Sequence, residues 1–193
     1  MISALVVALT LSSEPTPPPT PPPMSHAEGE LIPTSFAMYI ALLEPMVIAT
    51  GSSVSVAPLS ATVRLGAVLD GRHALLAGIS FAGSFASSSD GVTISFMPTY
   101  RYFFKPLRAG GFSPYVQGEL FVGYGATEGG ASVLPFGFGG SFGGELLFSR
   151  NFGITAGAGA RFIHSESTGG GGGGRVTGNQ LGIYASAGLS LHF

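Results

Sequence analysis

The residues most able to do chemistry in this chain are five charges set among apolar and small neighbours: Arg64 in "VRLG", Arg101 in "TYRYF", Glu119 in "QGELF", Glu145 in "GGELL" and Arg161 in "GARF". An unpaired charge kept from water is costly, whereas guanidinium and carboxylate groups that pair and hydrogen-bond can fill a narrow polar space. Two chemistries fit them, a structural salt-bridge core and the lining of a selective pore. A second group, "RFIHSES", holds His164, Ser165, Glu166 and Ser167. A His–Ser pair does nucleophilic work only when the imidazole reaches the hydroxyl proton and a third group orients it. Adjacent residues on a strand point apart, so His164 shares a face with Glu166 and with neither serine. The run Gly169 to Gly174 lacks the helix that a phosphate cradle needs after its preceding strand, and reads as a surface loop. "GFGGSFGG" fails the same test, and its glycines read as room for packing. His26, His73 and His192 are scattered and cysteine is absent, so no metal site and no cofactor is expected.

The elements that must position these charges are strands. The chain ends "NQLGIYASAGLSLHF", in which Leu181, Ile183, Ala185, Ala187, Leu189, Leu191 and Phe193 occupy every second position. Successive side chains of a strand point to opposite faces, so this stretch has one wholly apolar face and one made of Gly182, Tyr184, Ser186, Gly188, Ser190 and His192. Charged residues are 9% of the chain, against about a quarter in soluble domains, and hydrophobic residues reach 45%. No apolar run reaches the roughly 18 residues of a membrane-spanning helix. The net charge of -2 gives no basic footprint for nucleic acid.

The alternation recurs in eight segments from residue 34 onward. The first runs from Thr34 to Glu44, with Met38, Ile40 and Leu42 alternating with Tyr39, Ala41 and Leu43. The later ones oppose Val63, Leu65 and Leu69 to Arg64, Tyr100 and Tyr102 to Arg101, Leu120 and Val122 to Glu119, Phe142 and Leu146 to Glu145, and Ile154 and Phe162 to Arg161. The polar face is crowded with Gly139, Gly143, Gly153, Gly157, Gly159, Gly182 and Gly188. An eight-stranded barrel has an interior just wide enough for side chains, so the small, polar face belongs inside and the bulky apolar one outside, against lipid. The expected fold is all-β, an eight-stranded antiparallel up-and-down transmembrane β-barrel. Closure removes the unpaired sheet edge that hydrocarbon does not tolerate. Short turns at "DGR", "KPLRAGGFS" and "SRN" alternate with longer loops, which places both barrel ends on the short-turn side. Tyr102, Phe104, Phe148, Phe152 and Phe193 fall near that side and Phe85, Tyr124, Phe136 and Phe162 near the other, as two interfacial belts. Register sets Arg101 diagonally from Glu119, with Glu145 at a similar depth one strand on, Arg64 completing the cluster and Arg161 nearer the loops.

Ahead of the barrel (34–193), residues 1–13, "MISALVVALTLSS", read as a signal peptide too short to span a bilayer, and 14–33 as a proline-rich linker or tail favouring polyproline II. The terminal strand "LGIYASAGLSLHF" resembles the assembly signal of bacterial outer-membrane proteins, with Leu189, Leu191 and Phe193 as its residues. "PTYRYFFKP", "SPYVQGELFVGYG" and "GGELLFSRNFGITAGAGARF" resemble the small outer-membrane barrel domains related to OmpA. That resemblance implies an outer-membrane location, a monomer contacting outer-membrane lipid and the barrel-assembly machinery, and a non-catalytic structural or surface-interacting role. The alternatives are a small porin-like channel and a lipid-modifying enzyme. "RFIHSES" has a superficial likeness to lipid A deacylases, but the residue two after His164 is Glu166 where those enzymes carry Ser.

Overall fold

The computed structural model describes residues 29–50, 53–56, 60–84, 91–127, 130–169 and 175–193. The segment read as a signal peptide, the first part of the proline-rich tail, Phe85 and most of the glycine run lie outside the described residues. The strands are β1 (Ser35–Glu44), β2 (Met46–Thr50), β3 (Ser53–Val56), β4 (Ser60–Leu69), β5 (His73–Ser84), β6 (Gly91–Phe103), β7 (Phe112–Thr127), β8 (Ser132–Leu147), β9 (Phe152–Thr168) and β10 (Arg175–His192). Strands β1 and β4 to β10 pair in sequence, and β1 closes on β10 from Ala37↔His192 to Leu43↔Ala187. The result is the expected eight-stranded antiparallel barrel.

Two further strands were not legible in the alternation. At Pro45 the backbone lacks a donor, and β2 continues along β10 where β1 leaves it, from Met46↔Tyr184 to Ala49↔Leu181. Strand β3 folds back on β2, so a hairpin flanks β10 where β1 has left it.

The two faces segregate. Outward residues such as Leu120, Phe138, Phe142 and Ile183 are 59% to 71% exposed, a contiguous apolar exterior far larger than a water-soluble monomer presents. Tyr102 meets Phe104 and Phe148 meets Phe152 at the short-turn end, where Phe193 is also exposed. Tyr124, Phe136 and Phe162 are exposed toward the loop end.

Inside, the small-residue rule holds only in part. At the short-turn end the lumen is filled by Tyr39, Val68, Phe103, Leu107, Tyr115 and Leu147, all nearly fully buried. Tyr115 points inward because β8 and β9 offer Gly143 and Gly157 opposite it: a Cβ at either would come within 3.0 Å of its hydroxyl oxygen. Bulk on one strand is thus matched by its absence on two others.

The tail contributes to this end. Ile32 is 2% exposed and joins the apolar cluster, its N–H donating to Leu107 O at 3.0 Å. Gly71 N–H donates to Pro33 O at 2.7 Å, and Leu107 N–H to Gly71 O at 2.9 Å. Asp70 and Gly71 both have positive φ, 52° and 62°, the backbone of a tight hairpin turn that favours Asp-Gly, and Gly71 needs its missing side chain because a Cβ would lie 2.8 Å from Ile32 O. Residues 29–33, which composition groups with the linker, therefore form a strap across the turns. Replacing Ile32 with Ala should cost about 2–5 kcal/mol, the range for emptying a buried isoleucine site. A denaturant titration of the refolded barrel should show the lowered midpoint, with Leu31→Ala, at a half-exposed position, shifting it far less.

Candidate functional site: the interior ion network

The five charges singled out in the sequence are all buried, at 0% to 7% exposure, inside the barrel. A sixth, Glu44, joins them at 1%. Strict alternation from Tyr39 and Ala41 would turn Glu44 outward. A register irregularity between Ala41 and Glu44, where β1 pairs with both β4 and β10, inserts an extra residue and turns it inward. No periodicity argument finds such a bulge; its trace in the sequence is a lone carboxylate at the end of an apolar strand, just before Pro45.

The upper cluster centres on Glu119. Its carboxylate accepts from Arg161 Nε at 2.5 Å and Tyr184 OH at 3.3 Å on one oxygen, and from Arg64 Nη2 at 3.3 Å and Gln117 Nε2 at 3.2 Å on the other. Thr99, Glu119, Gly139 and Arg161 lie in one cross-strand row. Gly139, between the two charged residues, puts no side chain in their way. A Cβ there would lie 2.8 Å from Arg161 Cγ and 3.1 Å from Glu119 Oε1. Glu44 accepts from Thr62 Oγ1 at 2.6 Å and Arg64 Nη2 at 3.4 Å, and lies 3.8 Å from Arg161 Nη2. The Arg161 guanidinium also stacks over the Tyr184 ring at 4.1 Å.

The lower cluster centres on Glu145. It accepts from Tyr39 OH at 3.1 Å, lies 2.7 Å from His192 Nε2, and is 3.7 Å from Arg101 Nη1. Arg101 donates to Gln117 Oε1 from Nε at 3.0 Å and from Nη2 at 2.8 Å, and lies between the rings of Tyr39 (4.4 Å) and Tyr115 (4.0 Å). Arg101 does sit diagonally from Glu119, but its charge goes to Glu145. Gln117 bridges the two clusters, and it is Arg161 that reaches back from the loop side to Glu119.

Two arrangements resemble catalytic ones. Ser35 Oγ is 3.2 Å from His192 Nδ1, whose other nitrogen meets Glu145, a serine–histidine–carboxylate line in connectivity. All three are buried, at 8%, 1% and 0% exposure. His164 is turned to the outer face, 2.7 Å from Asn179 Oδ1 and against the Phe136 ring at 4.8 Å. Ser165 is on the opposite face, Ser167 donates to Val176 O, and Glu166 pairs with Arg175. The structure does not bring the "HSES" residues together. Among the described residues no three His, Asp or Glu side chains are placed to hold a metal.

A closed antiparallel eight-stranded barrel with an apolar exterior and a polar lumen is the fold of small outer-membrane proteins. No protein-family model matches the chain, and no curated protein matches it significantly. Among solved structures it is similar to Neisserial surface protein A, at 16% identity and a TM-score of 0.62, covering 82% of this chain and 97% of that one. It is also similar to OprG from Pseudomonas aeruginosa (10% identity, TM-score 0.51, 86% and 98% covered) and to Ail, the attachment invasion locus protein of Yersinia pestis (15%, 0.50, 86% and 99%). The shared property is the fold.

Removing one member of a buried, hydrogen-bonded ion pair leaves the other uncompensated, at about 3–5 kcal/mol. Glu119→Ala and Arg161→Ala should each destabilise the barrel by that order. Because the two groups meet directly, the double variant should cost clearly less than the sum of the singles. Unfolding titrations of all four proteins check this, and additivity would show that the pair is not coupled.

Proposed function

We propose that this chain is an integral outer-membrane β-barrel, monomeric and non-catalytic, with a lumen closed by its own side chains and a structural or surface-interacting role. One observation carries this reading. Among the described residues the lumen holds three arginines (Arg64, Arg101, Arg161) and three glutamates (Glu44, Glu119, Glu145), each within 4.0 Å of an opposite charge. A conducting pore needs charges facing water; these face one another, and with the apolar cluster at the short-turn end they leave little but side-chain space along the axis. The apolar exterior and aromatic belts support a membrane location. In this reading the short-turn end, which carries both barrel ends, faces the periplasm and the loops face outside the cell, an orientation the even strand number supports. In the same reading residues 1–13 direct export.

The final strand supports recognition by the barrel-assembly machinery. Leu189, Leu191 and Phe193 lie on its lipid-facing side, and Phe193 is 70% exposed although its N–H donates to Phe36 O at 2.9 Å. Its ring is thus available to a receptor before the membrane covers it.

Reconstituted in a planar bilayer, the protein should give little or no steady conductance, and large stable open-channel currents would replace this reading with the channel one. Phe193→Asp should lower the fraction of protein recovered in the outer membrane well below that of Phe81→Asp, an equally apolar outward position away from the terminus. Equal losses would remove the special role of the last residue.

A further inference from the structure

Above the ion network the barrel opens into a vestibule of about 280 Å³ whose lining is divided between two arcs of the wall. On the arc of β4, β5 and β6 stand the hydroxyls of Ser60, Ser80, Thr93 and Ser95, with Ala82 and Met97 between and below them. On the arc of β7, β8 and β9 stand Phe121, Val133, Pro135 and Ile163, with Ser165 as the one hydroxyl among them. The floor is Arg161 and Glu44. Arg161 is 7% exposed, and its Nη2 is buried without a hydrogen-bond acceptor, although Glu44 lies 3.8 Å away.

The room beside the hydroxyls is maintained by glycine. Gly123 and Gly125 on β7 pair with Ser95 and Thr93 on β6. A Cβ at Gly123 would come to 2.4 Å from Ser95 Oγ, and one at Gly125 to 2.6 Å from Thr93 Oγ1. Any other residue at either place would push into the hydroxyl arc. The volume is about nine times the roughly 30 Å³ share of a liquid water molecule, which suits a single small ring.

We propose that this vestibule is a binding site for a neutral, monosaccharide-sized polyhydroxyl ligand, with an apolar ring face against Phe121 and Ile163, hydroxyls toward Ser80, Thr93 and Ser95, and one acceptor oxygen toward the Arg161 guanidinium at the floor. A cyclic sugar has this division, with C–H groups on its face and O–H groups at its edge. Net neutrality of the ligand follows from the floor. Arg161 and Arg64 are already matched by Glu119 and Glu44, and an entering anion would meet the Glu44 carboxylate together with the guanidinium. A cation would meet Arg161. A neutral acceptor can take a hydrogen bond from the guanidinium without unbalancing either group. The inference rests on the vestibule and not on the membrane reading, since binding in detergent micelles is indifferent to where the protein resides.

The test is calorimetric and NMR titration of the full-length, detergent-solubilised barrel with glucose, N-acetylglucosamine and glucuronate, the last differing from glucose by its carboxylate. Saturable binding of at least one neutral sugar is expected, with glucuronate at least about tenfold weaker, the step of one charge left poorly accommodated. Ser95→Leu, which fills the hydroxyl arc, should abolish binding. Because that variant could misfold, Ser95→Thr is made beside it and should retain binding, and both must keep heat-modifiable migration and the strand signature of the parent in circular dichroism. If the Leu variant misfolds, Thr93→Val, which keeps the shape and loses the hydroxyl, takes its place and should weaken binding at least threefold. The proposal is overturned if no neutral sugar saturates, if glucuronate binds as tightly or more tightly, or if folded Ser95→Leu, or Thr93→Val in its place, binds as well as the parent. Binding to a sugar-bearing glycolipid but to neither free sugar would also overturn it, since the lipid and not the ring would then be what is held.

Discussion

Glu119 meets Arg161 because the residue between them in the row, Gly139, has no side chain. Much of the interior depends on that contact. Once the Arg161 head is drawn down onto Glu119, it is also set over the Tyr184 ring and near Glu44, and Glu119 can take Arg64 and Gln117 on its second oxygen. In a lumen this narrow, charges that did not meet would each remain desolvated and alone. The barrel therefore needs a gap in one strand as much as it needs charge on two others.

Electrical balance then sets what the interior can do. Among the described residues three positive and three negative side chains cancel along the axis, and Gln117 joins the two halves by accepting from Arg101 and donating to Glu119. A neutral side chain with both a donor and an acceptor is the one type that can link an arginine to a glutamate without disturbing either charge. His192 sits at the lower limit of the network, its two nitrogens against Glu145 and Ser35. This serine–histidine–glutamate line is buried with the rest of the lower cluster.

Wherever one rule governed a whole stretch, the sequence was readable. Period-two alternation placed Arg64, Arg101, Glu119, Glu145 and Arg161 on the inner face, and the terminal strand gave the inward parity of Tyr184 and His192. What escaped were the departures from periodicity. The bulge between Ala41 and Glu44 turns a glutamate inward by adding one residue, and no count of alternating residues announces it. Strands β2 and β3 follow Pro45 in a run with little alternation, and the pairing of β2 with β10 depends on a partner some 130 residues away in sequence. Parity also says which side a group faces but not how far it reaches. Arg101 and Glu119 lie on a diagonal, yet the partner of Glu119 is a longer reach from the next strand but one, because the intervening position is glycine.

The strap at residues 29–33 has a bearing on the geometry of closure. Sliding β1 along its neighbours by one residue would exchange its faces, and the apolar exterior forbids that. A slide by two residues keeps the faces and is the more dangerous error, since it changes the stagger of the strands and with it the tilt and girth of the cylinder. Ile32 stands three residues before β1, held by the turns that join β4 to β5 and β6 to β7. A two-residue slide moves the strand about 6.7 Å, far enough to draw Ile32 from its apolar seat and part Ile32 N–H from Leu107 O. The strap is an end stop. It sets the zero of the register from which the girth of the barrel is measured.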